Sequence, residues 1–300
     1  MPQTDAARTE ALRKYFANDL GWGWARNYQA HLIFKFLMEV SRFCDKGVLL
    51  DAGAGHQRYR PFFSNCLYIS QEHHQGIAFK GMEEITYDLL SPIDQQIPLK
   101  DNSVDGILST SVVEHLQRPA DFIVEAFRVL KPGGKLFINV PFVNVEHEIP
   151  YDYNRPTRYV LDLWLKEAGF KTYDISPSSS CTEAASSMLS LAVICDMLEI
   201  DEISKRQLAL LFTEANSVLK KIGLVWKLVR LGLVYGLTRF LCSIIKLVVD
   251  RGPYQKAGFP VGWVVVATKP GKLLREKKPL DRETFLKRYQ VPAAGSAKKA

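Results

Sequence analysis

Little in this chain favours disulfides, metal ions or a membrane span. Its five cysteines, Cys44, Cys66, Cys181, Cys195 and Cys242, are odd in number, scattered and without a C-x-x-C pair. That pattern argues against a disulfide framework and a cysteine zinc site, and fits a reducing, cytoplasmic setting. The histidines of "EHH" (72–74) would point apart in an extended segment, so no metal is expected there. The first residues, "MPQTDAARTEALRKYF", mix both charge signs and lack an apolar core, so no secretory signal is expected. In the most apolar stretch, "VLKKIGLVWKLVRLGLVYGLTRFLCSIIKLVVD", no uncharged run exceeds the eight residues 231–238, against the roughly 18 a spanning helix needs. There is no internal repeat, no Walker sequence and no complete G-x-G-x-x-G.

What is present is enough for a substantial core: 300 residues, 47% of them apolar and 24% charged. The net charge of +7 is unevenly placed. Residues 216–249 hold six Lys/Arg and no acid, and residues 271–300 hold nine Lys/Arg against three acids, so these two segments carry +6 each and the rest sums to −5. A mildly acidic body argues against a nucleic-acid groove, while the basic segments could meet a polyanion or anionic lipid.

Short apolar runs alternating with helical patterns predict βαβ units and a parallel sheet. Strands are expected at "GVLLD" (47–51), "CLYIS" (66–70), "EITYD" (84–88), "DGILST" (105–110), "GKLFINV" (134–140), "KTYDIS" (171–176) and "GWVVVATK" (262–269). Phe122, Ile123, Ala126, Phe127 and Leu130 fall at helical spacing before the stop "KPGG", and another helix is expected near 158–168. The predicted organisation is an N-terminal helical segment (1–45), a sheet domain (46–180 and 258–270), a helical insert (181–257) and a basic, mobile tail (271–300).

The stretch "VLLDAGAGHQRYRPF" (48–62) places glycines where a strand turns toward a helix, letting a ligand approach the backbone. Alone it permits a dinucleotide, a mononucleotide or S-adenosylmethionine. Arg58 stands where a dinucleotide fingerprint needs its third glycine. Asp51 at the mouth of the loop would repel a pyrophosphate but suits an ammonium group, which S-adenosylmethionine carries. Glu72 follows the second strand at a distance suited to two ribose hydroxyls, and Asp88 ends the third, where a carboxylate can take an adenine amino group.

The ordered pieces "VLLDAGAG", "YISQE", "ITYDLL", "IPLKDNSVDGILSTSVVEHLQRP" and "EAFRVLKPGGKLFINVP" resemble the class I S-adenosylmethionine-dependent methyltransferases, particularly the type 11 group. The resemblance implies an α/β, Rossmann-like seven-stranded sheet in the order 3-2-1-4-5-7-6 with the last strand antiparallel. By position it implies that Asp51, Gly53 and Gly55 hold the methionine end, Glu72 the ribose and Asp88 the adenine, with Ser109 and Thr110 lining the cofactor. Gln57 occupies a place where the family often has glycine.

Methyl transfer from a sulfonium has a good leaving group built in, so alignment of reactants can do much of the work. A hydroxyl acceptor also benefits from a base. Candidates are His147, the first choice, then His115 and Asp152, with Tyr151, Arg155 and Tyr159 orienting the acceptor. "NVPF" (139–142) lacks the first proline of the Asn-Pro-Pro-Tyr motif of nucleic-acid amino methylation and follows the wrong strand; no Pro-Cys occurs for cytosine-C5 chemistry. Gly232 and Gly236 are expected to break the 216–249 segment into two amphipathic helices, serving as a cap or lying at the inner face of an anionic membrane. The reading is a methyltransferase acting on a small or lipid-linked acceptor, a saccharide or metabolite oxygen. The alternatives are a nicotinamide-dependent oxidoreductase and a non-catalytic scaffold.

Overall fold

The computed structural model of the chain describes residues 26–73, 85–92, 94–179, 260–274 and 280–292, with isolated helical positions at 184, 185, 188, 229, 232–234, 236, 237, 240, 241 and 244. The chain divides into two units, Met1–Phe142 with Glu148–Ser178 and Gly262–Ala300, and Val143–His147 with Ser179–Val261.

The first unit is built in the order α1 (Arg26–Phe43), β1 (Val48–Ala52), β2 (Leu67–Glu72), β3 (Leu89–Leu90), β4 (Val104–Thr110), α2 (Pro119–Val129), β5 (Leu130–Pro141), α3 (Arg158–Ala168), β6 (Thr172–Pro177), β7 (Gly262–Thr268) and α4 (Arg282–Tyr289). The strands form one sheet, β3-β2-β1-β4-β5-β7-β6. β1, β2, β3, β4 and β5 run parallel, and β7 is antiparallel to both β5 and β6. The order and the reversed last strand are those implied by the sequence resemblance.

Alternation along the strands divides the core between the two faces of the sheet. Leu49, Tyr68, Leu108 and Phe137 point to the face covered by Phe36, Leu37 and Val40 of α1. Their neighbours Leu50, Ile69, Ile107 and Leu136 point the other way, against Phe122, Ile123 and Ala126 of α2 and Leu161 and Leu165 of α3. Pro119 stands at the start of α2, where its missing N–H costs nothing. Thr157 caps α3 by accepting from the Val160 amide, and Gly169 ends the helix in the left-handed region.

Two expectations change. The third strand lies one residue beyond "EITYD", because the Ser70 amide donates to the Asp88 carboxylate (2.8 Å) and is removed from the ladder at that point. The segment expected as a mobile tail contains α4, capped by Asp281, with Phe285 fully buried. The chain after α4 bridges to the loop before β4 through Val291 N–H to Pro98 O (3.0 Å), while the Lys100 amide donates to Tyr289 O (2.8 Å).

In the second unit, the Val143 amide donates to Val261 O (3.0 Å) and the Val261 amide to Ser179 Oγ (2.8 Å). Both Gly232 and Gly236, expected as helix breakers, are helical. Glycine costs a helix only about 1 kcal/mol relative to alanine, so it need not break one. Among the described residues no helix is long and apolar enough to cross a membrane.

Candidate cofactor and acceptor site

The carboxyl ends of β1, β2 and β4 open onto a cavity of about 500 Å³. Parallel strands place such a crevice where their loops diverge, and ligands of open α/β sheets collect there. Asp51, Gly53, Gly55, Glu72 and Thr110 line it, as do His115 and Tyr151.

The loop after β1 owes its shape to backbone conformations unusual for side-chain-bearing residues. Gly53 (φ 80°) and Gly55 (φ 50°) lie in the left-handed region. A Cβ on Gly53 would come within 2.4 Å of the Val112 side chain, so glycine is required by packing as well. At Gly55 a Cβ would meet nothing within 4 Å, so the space beside this backbone is open. Gln57 adopts the same left-handed conformation (φ 50°) that a third glycine would take easily. Its side chain offsets part of that cost by donating to Thr86 O (2.8 Å) and accepting from Arg60 Nη1 (2.8 Å).

Carboxylates fasten this loop. Glu72 accepts from the Gly55 amide at Oε2 (2.7 Å) and from the His73 amide at Oε1 (2.8 Å). The Tyr87 hydroxyl donates to the Gly55 carbonyl (2.8 Å). Burial, with a contribution from the Glu72 charge, pushes that phenol up to about 12. Asp51, only 2% exposed, accepts a hydrogen bond from the Tyr68 hydroxyl. Burial pushes its carboxyl from 3.8 up to about 7; the Tyr68 bond opposes the rise and the Glu72 charge adds to it. The same burial, with the Asp51 charge, drives Tyr68 far above the ordinary phenol range.

Two further polar atoms in the wall, Gln71 Oε1 and Thr110 Oγ1, are buried with no hydrogen-bond partner among the described residues. Buried groups of this kind are normally satisfied by water or ligand. A buried acid adjoining open space, a glycine loop with room beside its backbone and unsatisfied wall atoms fit a cationic, hydrogen-bonding nucleoside such as S-adenosylmethionine.

Most other residues singled out from the sequence are not in the cavity wall. Asp88 does not line the cavity: it accepts from Ser70 N and Oγ and pairs with Arg282 of α4 at 3.2 Å. Asp94 and Gln95, in the loop after β3, line the cavity instead, with Asp94 accepting from the Arg118 amide (3.2 Å). The sequence signal missed was the position of "DQQ" on the cofactor-side loop between β3 and β4. Ser109 is buried within β4 and Thr110 alone of that pair reaches the wall. Arg155 grips Asp152 with both guanidinium nitrogens, which fixes the loop and engages the two groups with each other. Tyr159 is 69% exposed on α3, accepting from Arg158, and does not line the cavity. His147 belongs to the second unit, where its Nδ1 lies 3.1 Å from Val145 O.

The other part of the wall comes from the short 3-10 turn Val113–His115 and from the loop 148–153. His115 Nδ1 lies 2.9 Å from Tyr151 O. A carbonyl only accepts, so Nδ1 carries the proton and Nε2 is the basic nitrogen of the neutral ring. Nε2 is 3.8 Å from the carboxylates of both the buried Glu114 and Glu148. Glu148 (φ 53°) and Ser111 (φ 54°) both hold left-handed backbone conformations beside the cavity. Non-glycine residues there carry strain of roughly 1–3 kcal/mol, a recurrent property of functional sites.

Part of the chain matches known proteins. Residues 50–138 match the family described as a methyltransferase domain. A protein of Mycolicibacterium smegmatis named a probable S-adenosylmethionine-dependent methyltransferase is 46% identical over 46 residues, which cover 15% of this chain and 18% of that protein. An uncharacterized methyltransferase of Mycobacterium bovis is 35% identical over 99 residues, covering 30% of this chain and 38% of the relative. The matches thus span well under half the length of these curated relatives. The crystal structure of a SAM dependent methyltransferase from Archaeoglobus fulgidus superposes with a TM-score of 0.47 at 15% identity, covering 85% of this chain and 99% of that one. Residues 50–138, which include the glycine loop, Glu72 and Thr110, are thus similar to a methyltransferase domain.

Proposed function

We propose that the protein methylates a hydroxyl oxygen of a small or lipid-linked acceptor, of saccharide or metabolite type, with His115 as the base. The observation that carries this reading is the fixed orientation of His115 in the cavity wall, with Nδ1–H held by the Tyr151 carbonyl. S-adenosylmethionine, when bound, supplies an electrophilic methyl group on a sulfonium centre.

The chain's own residues would divide the rest. Asp51 would pair with the ammonium group, Gly53 and Gly55 would admit the methionine end, Glu72 would hold the ribose, and Thr110 would line the pocket. Asp94 and Gln95, which line the cavity where Asp88 does not, would face the adenine. His115 Nε2 would take the acceptor's proton as the oxygen attacks. Glu114 and Glu148, each with a carboxylate oxygen 3.8 Å from Nε2, would lie beside the imidazolium that results. Tyr151 contributes its carbonyl to the ring and its side chain to the acceptor's surroundings.

Calorimetry with S-adenosylhomocysteine and NAD, followed by transfer of labelled methyl groups to soluble and lipid-extractable fractions, tests the reading. Wild-type protein should bind S-adenosylhomocysteine and not NAD. With the acceptor so found, His115→Gln should lower turnover by about 10²–10⁴-fold while leaving S-adenosylhomocysteine affinity within threefold. Near-normal turnover in this variant would remove the base from the mechanism.

A further inference from the structure

The second unit presents an apolar surface that the methyl-transfer reading does not use. Its helical positions Val229, Leu233, Leu237, Phe240, Leu241 and Ile244 are 47%, 70%, 60%, 62%, 49% and 44% exposed. Projected at about 100° per residue, these six described positions fall within an arc of roughly 120°, an apolar stripe that Arg230 also enters. The helix is open nearby as well: a Cβ added to Gly232 or Gly236 would meet nothing within 4 Å. Scattered exposed leucines need no explanation, but a contiguous stripe of large apolar side chains is rare on a protein that leaves it in water.

The charge of the same segment selects the partner. Residues 216–249 contain six Lys/Arg and no Asp/Glu. Pairing two copies along the stripe would bring two such segments together and set like charges against each other. Nucleic acid would answer the charge but offers no sink for leucine, valine, isoleucine and phenylalanine. An anionic bilayer surface answers both, accepting apolar side chains below the headgroups and basic ones among them. The segment is not suited to crossing that bilayer, because its longest uncharged run is the eight residues 231–238, against the roughly 18 a spanning helix needs.

We infer that this helix lies in the interface of an anionic membrane with the stripe turned into it, so that the enzyme works at a lipid surface. The inference concerns the location of the protein and stands apart from the identity of the base or the donor. It places lipid-linked acceptors ahead of freely diffusing ones within the reading above.

Co-sedimentation of the full chain with vesicles tests it. Equimolar phosphatidylcholine and phosphatidylglycerol vesicles should bind the protein and pure phosphatidylcholine vesicles should not; binding should weaken, without vanishing, in high salt. The variant combining Leu233→Glu, Leu237→Glu and Phe240→Glu should bind the anionic vesicles at least about a hundredfold more weakly, since it removes three apolar anchors and adds three negative charges. Its affinity for S-adenosylhomocysteine should be unchanged, which separates lost docking from lost folding. As a second probe, Lys227→Gln with Arg230→Gln and Arg239→Gln should reduce binding to anionic vesicles and flatten its salt dependence. Equal vesicle binding by the triple-Glu variant, or no binding by the wild type, would overturn the inference. So would light scattering that shows a dimer dissociated by the triple-Glu substitution in a protein that ignores vesicles.

Discussion

The substitution Asp51→Asn should stabilise the ligand-free protein while crippling its cofactor site, two opposite effects from one atom. Burial raises the Asp51 carboxyl from 3.8 to about 7. Each pH unit of such a rise corresponds to 1.36 kcal/mol, so the buried carboxylate costs about 4 kcal/mol once ionised. The sign follows from proton counting. Between pH ~4 and ~7 the folded chain holds a proton that the unfolded chain has released, so stability falls as pH rises across this window. The penalty is absent below pH ~4 and complete above pH ~7. The asparagine side chain cannot ionise, and its amide oxygen can still accept from the Tyr68 hydroxyl that now bonds Asp51. Urea denaturation of both proteins from pH 4 to 8 should therefore give a difference curve that starts near zero and rises toward ~4 kcal/mol in favour of the variant. A bound ammonium would offset the penalty, so S-adenosylhomocysteine should stabilise the wild type far more than the variant. A lost charge-assisted bond of about 1.5–3 kcal/mol weakens binding by roughly 10- to 100-fold. Parallel stability curves, or a variant less stable than wild type at pH 8, would refute the reasoning.

Other outcomes follow from particular contacts. Phe285→Ala should lower stability by about 3–5 kcal/mol, because this side chain in α4 is fully buried in the sheet domain; a change below about 1 kcal/mol in denaturation would return the C-terminal segment to the status of a loose tail. Gln57→Gly trades relief of a left-handed residue, worth roughly 1–2 kcal/mol, against loss of its bonds to Thr86 and Arg60. It should leave stability within about 1 kcal/mol, whereas Gln57→Ala, which loses the bonds and keeps the strain, should be about 1–2 kcal/mol worse. A glycine variant less stable than the alanine variant would contradict this account. Arg282→Ala should cost only about 1 kcal/mol, because the arginine is 41% exposed although Asp88 is 5% exposed. Its S-adenosylhomocysteine affinity should stay within threefold, as measured by calorimetry, if Asp88 has no direct part in the pocket.

The sheet was legible because its signals are local and repeated. Strands such as "GVLLD" and "DGILST" have short apolar centres with glycine, acid or hydroxyl residues at their ends, as a strand buried on both faces is expected to read. The glycine turn was legible for a similar reason, since only a few residues tolerate its backbone. Asp88 and Asp94 could not be told apart in this way. Both are acids close to β3, and the difference lies in what each side chain meets: Ser70 and Arg282 for one, the cavity for the other. The ion partner of Asp88 comes from a helix 194 positions further along the chain, a separation that no local pattern encodes. The same holds for His115, whose competence as a base depends on the carbonyl of Tyr151, 36 positions away. The loop 148–153 looked rich in chemistry because it is crowded with polar groups, and Asp152 within it turns out to be engaged with Arg155 just beyond.

The position of β7 between β5 and β6 has a consequence for synthesis on the ribosome. β6 has β7 as its sheet neighbour, and β7 begins at Gly262, long after β6 ends at Pro177. Translation proceeds at about 5–20 residues per second, so the intervening chain takes roughly 4–17 s to emerge. For that interval the edge of β5 and the whole of β6 lack their partner, beside a growing segment rich in apolar and basic residues. The nascent chain is then an open sheet whose outermost strand invites pairing with other chains. Closing it early, by circularly permuting the gene so that β7 is made before β5 and β6, should raise the soluble yield without altering the finished sheet.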